Sequence, residues 1–248
     1  MRLGGFRVMT FDCYGTLVDW EAGILRVLRP WAARAGISAD DAKLLAAFGA
    51  AESEAEHAQP GATYPEILRA THAGIARRLG AKADAAAADE LGRSVGNWPV
   101  FADTADALRR LQQRHKLVIV SNVDRASFAQ THAKLGVTMD AVVTAEEVGA
   151  YKPDLRMFRR ALEVAAQWGA TPGEVLHVAQ SLFHDHVPAK KMGLATVWVK
   201  RASAAGELGA TRDPGETVQP DLIVGSLGEL ADLEERENLA AASSSLGS

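Results

Sequence analysis

A single cysteine, Cys13, stands in the 248 residues. No intrachain disulfide can therefore brace the chain, and a reducing compartment is expected. Long apolar runs are missing too. Nothing approaches the roughly 18–20 consecutive apolar residues of a membrane span, and the first charges are followed by a short strand rather than a signal peptide. The expected address is the cytoplasm, with no membrane partner. There is no basic surplus: 27 Lys and Arg face 31 Asp and Glu, for a net charge of -4. A broad cationic surface for nucleic acid is thereby excluded. Internal repeats are absent. What remains is ordinary globular composition, 48% hydrophobic and 23% charged, long enough for a core plus a smaller domain.

The chain is organised around Val8-Met9-Thr10-Phe11-Asp12-Cys13-Tyr14-Gly15-Thr16-Leu17. A short apolar run reads as a buried strand, which stops at a carboxylate and turns through Gly15 to a hydroxyl at Thr16. In open parallel sheets, ligands sit beyond the carboxyl ends of the strands. Asp12 falls where a reacting carboxylate would be placed, although a turn-forming Asp after a strand is also common. Side chains alternate along an extended segment, so Cys13 should point away from Asp12 and pack as a small hydrophobe.

Residues 19–98 change character. They are rich in Ala, Leu, Glu and Arg, with apolar positions such as Ile24, Leu25, Leu28 and Trp31 at helical spacing. Four helices are predicted, broken at Gly36, at Gln59-Pro60-Gly61 and at Gly80. From Pro99 strands and helices alternate. Apolar runs at Leu117–Val120, 141–143, Val175–Ala179, 196–199 and Leu222–Val224 read as buried strands. The prediction is an α/β protein: a Rossmann-like, doubly wound parallel sheet (residues 1–17 and 99–240) with an inserted all-helical cap (18–98). Residues 202–217 are expected to be a surface loop, and the Ala/Ser-rich residues 241–248 a disordered tail.

Such connections put all strand carboxyl ends on one edge. Asp12, Ser121-Asn122 and Gln180-Ser181 then cluster there, with Lys152 arriving from a loop and the helical insert overhead. Asp12-x-Tyr14-Gly15-Thr16-Leu17, Ser121-Asn122, Lys152-Pro153 and Asp185 resemble, in order and placement, the four motifs of the haloacid dehalogenase superfamily. Its phosphatases carry a second Asp two residues after the nucleophile. Here that residue is Tyr14, which resembles the L-2-haloacid dehalogenase branch instead.

The resemblance implies a metal-independent hydrolase without cofactor. Asp12 would attack the carbon beside a substrate carboxylate and form an ester, and water would then release a hydroxy acid. It implies Lys152 as electrostatic partner of Asp12, Asp185 as its orienter, and Thr16, Ser121 and Asn122 as substrate and oxyanion donors. Tyr14, Trp20 and Ser181 are the candidate substrate contacts. The partner is a small carboxylate, and a homodimer is left open.

Departures from the branch bear on the leaving group. Where the dehalogenases carry a halide-receiving Arg in the cap, this chain has Gly49 or Ala50, and no Arg occurs between Arg34 and Arg69. Arg69, His72 or Trp20 are the substitutes. Phe158 and Leu182 stand where the family has Tyr and Asn. The run from His177 to His186 is instead similar to L-azetidine-2-carboxylate hydrolases, which open a strained cyclic amine. Glu52, Glu54 and Glu56 would suit an ammonium substrate, but a solvated helix face is the commoner meaning of such a stretch.

Two further readings stay open. In one, the chain is a magnesium phosphatase in which Asp19 or Asp185 replaces the missing acid. In the other, it is a binding module on this scaffold. His184-x-His186 does not share a helical face, so a metal site is not expected there. Trp20 and Trp98 bracket the insert, either as pocket walls or as packing.

Overall fold

A computed structural model of the chain describes residues 1–203, 206 and 209–245. Strand β1 (Val8–Phe11) is buried along its whole length. Four helices follow: α1 (Trp20–Arg34), α2 (Asp41–Ala58), α3 (Tyr64–Arg78) and α4 (Ala85–Gly92). The chain then alternates through α5 (Thr104–Leu111), β2 (Lys116–Ser121), α6 (Arg125–His132), β3 (Ala141–Thr144), α7 (Ala145–Val148) and α8 (Leu155–Ala166). It closes with β4 (Val175–Ala179), α9 (Val187–Lys191), β5 (Ala195–Val199), β6 (Leu222–Val224) and α10 (Leu227–Ser245).

The strands form one sheet in the order β3-β2-β1-β4-β5-β6, with every neighbouring pair parallel. This is the α/β, doubly wound architecture. The strand order reverses between β1 and β4, and a crevice opens beyond the carboxyl ends at that point. Asp12 follows β1 and Asp185 follows β4, so both flank it.

Helix starts obey local chemistry. Asp19 caps α1 by accepting from the Ala22 N–H at 3.0 Å, and Asp40 caps α2 through Lys43 N–H at 2.9 Å. Thr63 and Glu66 form a capping box on α3. The two chain crossings between sheet and helices lie side by side. Asp19 N–H donates to Pro99 O at 2.8 Å and Phe101 N–H to Leu17 O at 3.1 Å. This pins the start of α1 over the end of β1. No helix among the described residues is long and apolar enough to cross a membrane.

Two stretches differ from expectation. Residues 241–245 are not disordered but continue α10, while 246–248 lie outside the described residues. The first half of α10 is anchored by buried Leu227, Leu230 and Ala231, and by Arg110, which reaches Asp232 at 2.6 Å and Glu235 at 2.7 Å. Alanine is the best helix former, so an anchored nucleus propagates into the tail.

Residues 202–217 hold no helix or strand among those described, yet they are more than a surface loop. Ala210 is buried and its N–H donates to Glu21 Oε1 at 2.7 Å. Gly49 of α2 makes room: a Cβ there would stand 2.0 Å from the Ala210 carbonyl oxygen.

Candidate active site

Asp12 is the first residue past β1, and its N–H still donates to Val178 O at 3.1 Å. Gly15 then turns the chain at φ 99°, where a Cβ would meet Trp20 Nε1 at 3.1 Å. Only glycine suits that turn. The turn lays the Thr16 hydroxyl on Asp12 Oδ2 at 2.7 Å, and Thr16 Oγ1 in turn accepts from Gln180 N–H at 2.9 Å. The Lys152 ammonium donates to Asp12 Oδ1 at 2.8 Å, Asp185 Oδ1 at 2.7 Å and Val120 O at 3.0 Å. All three of its hydrogens are thus engaged, at residues 6%, 2% and 1% exposed for Asp12, Lys152 and Asp185.

Asn122 holds the lysine loop. Its Oδ1 accepts from Lys152 N–H at 2.6 Å, and its Nδ2 donates to Lys152 O at 3.2 Å. Asp185 has a second partner that the motifs did not single out. His177 Nε2 lies 2.9 Å from Asp185 Oδ1, and His177 Nδ1 lies 2.8 Å from the Thr10 hydroxyl. An ionised Asp185 requires the Nε2–H tautomer, with Nδ1 accepting from Thr10. The sequence signal was a lone histidine inside a buried strand, where a partner is obligatory.

The electrostatics follow from burial. Burial alone would raise the Asp185 carboxyl, but the Lys152 ammonium and the His177 N–H outweigh it and hold Asp185 below the usual carboxylate range. Burial opposes the Lys152 charge, yet Asp12 and Asp185 keep it firmly protonated. Burial raises Asp12, with Lys152 and Thr16 pulling against it and Asp185 adding to the rise. Both of its oxygens accept from donors, a geometry built for the anion.

These groups border a cavity of about 40 Å³, which Trp20, Ser121 and Ser181 also line. One water needs about 10–15 Å³ on such a measure, so the space suits a molecule of only a few heavy atoms. Ser121 Oγ is buried without a partner, and remains available to a ligand. The far wall comes from the cap. Glu52 and Glu56 of α2 and Tyr64 of α3 face Asp12 across the cavity. Tyr64 donates to Glu52 Oε1 at 2.5 Å, and Asn122 Nδ2 donates to Glu56 Oε1 at 3.2 Å.

Several expected roles change. Thr16 and Asn122 are committed to Asp12, to the lysine loop and to Glu56, so neither is a free substrate donor. The Tyr14 hydroxyl pairs with Thr131 Oγ1 at 3.0 Å, leaving only its ring for the cavity. Ser181 Oγ accepts from His184 N–H at 3.0 Å as the cap of a π-helical turn over Leu182–His186. Trp98 is packing: its ring lies edge-on to Tyr14 and its Nε1–H donates to Ser94 at 2.9 Å.

None of the substitutes for the missing arginine except Trp20 reaches the cavity. Arg69 pairs with Asp89 at 2.7 Å, and His72 is buried against Trp31. Gly49, packed on Ala210, has no room for a side chain. Asp19 is spent on capping. The acidic stretch is not one solvated face. Glu54 is exposed and pairs with Arg77 and Arg78, while Glu52 and Glu56 are buried. The signal was present: 48, 52 and 55–56 continue the buried face that begins at Leu44 and Leu45.

Burial pushes the Glu52 carboxyl up to about 7, against the Tyr64 hydrogen bond. A pKa raised in the folded state stabilises the fold below the unfolded value and loses that contribution as pH rises through the folded value. Thermal stability is therefore expected to fall between about pH 4.5 and pH 7 as the unfolded chain ionises Glu52 and the folded chain does not. Melting curves of Glu52→Gln across this range test it. A variant that declines as steeply as the native protein would contradict the assignment.

A family model described as haloacid dehalogenase-like hydrolase matches residues 6–182. An (S)-2-haloacid dehalogenase of Pseudomonas putida is 32% identical over 171 residues, covering 67% of this chain and 69% of that one. The Rhythmically expressed gene 2 protein of Drosophila melanogaster is 25% identical over 251 residues, 91% of this chain and 94% of that one. Among solved structures, the L-2-haloacid dehalogenase of Xanthobacter autotrophicus, with chloropropionic acid covalently bound, superposes with a TM-score of 0.74. It is 23% identical, over 92% of this chain and 98% of that one, which establishes the likeness of fold.

Proposed function

For a chain that belongs to the haloacid dehalogenase-like hydrolase family, we propose a hydrolase that displaces the 2-substituent of a small carboxylate through an ester on Asp12, without a metal. The observation that carries this is the Lys152 ammonium, which touches Asp12 and Asp185 together at 2.8 and 2.7 Å. It supplies the positive charge that a carboxylate nucleophile needs in a dry site.

The second acid of a phosphatase is replaced by Tyr14. Burial raises its phenol well above the ordinary value, and its oxygen is already bonded to Thr131. It is poorly suited to serve as acid or base at neutral pH.

In the first half-reaction, Asp12 Oδ attacks C2 from the side opposite the leaving group, and the C2–O bond forms as the old bond breaks. Ser121 Oγ, buried and without a protein partner, holds the substrate carboxylate in this reading. In the second, water adds to the Asp12 ester carbon, and the Lys152 ammonium stabilises the oxyanion that develops. The 2-hydroxy acid is released and the Asp12 carboxylate restored.

Likeness to the (S)-2-haloacid dehalogenases favours a halide as the leaving group. A second reading, cleavage of a C–N bond as in L-azetidine-2-carboxylate, is favoured by Glu52 and Glu56, two acids on the cap wall of the same cavity.

One turnover in heavy-oxygen water, with mass analysis of the peptide holding Asp12, tests the shared step. Label is expected in Asp12, and turnover is expected to be indifferent to EDTA. An unlabelled Asp12, or activity lost to EDTA and restored by magnesium, would sink the proposal.

A further inference from the structure

We propose that Glu56, with Glu52 beside it, is the acid that hands a proton to the departing atom of the substrate, and that this atom is nitrogen. The inference rests on Asp12 displacement as proposed above, and names the kind of substrate that step serves.

Glu52 and Glu56 are one helical turn apart on α2, so their side chains leave the same face. Both are buried, 5% and 8% exposed, and both border the cavity that holds Asp12. Each has one oxygen fixed by a donor, Tyr64 on Glu52 Oε1 and Asn122 on Glu56 Oε1. The other oxygen of each is the one left to carry a proton. Two neighbouring carboxyls in a dry space do not both ionise readily. Burial, then the charge of Glu52, hold Glu56 well above the usual carboxylate range.

Among the described residues, Lys152 is the sole Lys or Arg lining the cavity, and its hydrogens are spent on Asp12, Asp185 and Val120. A departing halide would find acids rather than a cation. Independently, the buried, unpartnered Ser121 Oγ on the same cavity marks a polar ligand position.

Halide is so weak a base that it leaves without a proton. A neutral amine nitrogen leaves only when its lone pair is taken up by a proton. A cyclic 2-carboxylate reacts with its nitrogen neutral, carrying one hydrogen and a lone pair. Glu56 gives its proton to that lone pair as Asp12 Oδ bonds to C2. The C2–N bond breaks, its electron pair stays on nitrogen, and the nitrogen departs as a primary amine. Water then cleaves the Asp12 ester, and the proton released returns to the Glu pair. One water is consumed, and both acids end as they began.

The groups facing this pair from α2 and α3 are His57 and Tyr64. From the sheet side they are Asp12, Asp185, Lys152, His184, Tyr14 and Tyr151, with Asp154, Arg156 and Arg212 on the adjoining cavity that Glu56 also borders. Of these, His184 is kept neutral by burial, its pKa lowered to about 4. A descending limb that Glu56→Gln abolishes therefore belongs to the Glu pair.

Rapid-quench measurement of the Asp12 ester by mass, from about pH 5 to pH 9, tests this with azetidine-2-carboxylate and 2-chloropropionate as probes. The native protein is expected to form the ester with the cyclic amine, at a rate that falls above about pH 7 as the shared proton is lost. Glu56→Gln is expected to lower that rate about 100-fold or more and to abolish the descending limb, with KM moved less than about fivefold. Glu56→Asp should restore part of both.

An ester formed from 2-chloropropionate but never from the cyclic amine overturns the inference and leaves Asp12 as nucleophile. So does a Glu56→Gln rate within about threefold of native. No ester from either probe overturns the Asp12 reading itself.

Discussion

Asp12→Asn is expected to lower turnover at least about 10⁴-fold and to abolish the covalent intermediate. The replacement is isosteric, so the loss can be assigned to chemistry. A carboxamide oxygen is a poor nucleophile towards saturated carbon, and one of the two acceptors that now meet Thr16 and Lys152 becomes a donor. The cap, the sheet and the Glu52–Tyr64 contact do not depend on Asp12, so the circular dichroism spectrum should be unchanged. Steady-state kcat and the mass of the quenched protein are the readouts. A variant that keeps activity within about tenfold of native would show that another group attacks.

Lys152→Met should have the second largest effect, on stability and activity together. It leaves Asp12 and Asp185 facing each other with no counter-charge, in a site that excludes water. Removing one member of a buried ion pair costs about 3–5 kcal/mol, because the remaining charge is left unpaired. The sign with pH follows. Without the ammonium both carboxyls rise above their unfolded values, so the folded variant is favoured in acid and loses ground as pH rises. The deficit in melting temperature against the native protein should therefore be small near pH 4 and grow towards neutrality. Turnover should fall about 10³-fold or more, since Asp12 is protonated over much of the working range and the ester oxyanion has lost its partner. A melting curve that shifts equally at every pH would show that Lys152 acts by packing alone.

Much of the site could be read from the chain because strand-end chemistry is local. A buried apolar run that halts at Asp12, another that halts at Ser121-Asn122 and a third that leads towards Asp185 must converge once the strands lie parallel. Lys152 followed from a loop on the same edge. The direction of each hydroxyl and amide was not local. Thr16 serves the nucleophile and Asn122 serves the lysine loop, because the Gly15 turn and the Lys152 backbone reach them first. His177 escaped notice since an isolated histidine in a strand has no motif, only an obligation to find a partner. The helix over residues 241–245 was not legible for a related reason. The composition there carries no apolar stripe, and the helix depends on an anchor further up α10.

Periodicity and punctuation along the chain determined the parallel sheet, the helical insert after the first strand, and the carboxylate at the switch point. These follow from contacts within a few residues and from the single handedness of strand crossovers. The rotation of α2 about its own axis, and the seating of the cap on the sheet edge, were decided only in three dimensions. They set which glutamates lose water and which keep it. Glu52 and Glu56 became acids, and Glu54 a surface anion, through burial, which is a property of the packed chain and of no segment in it.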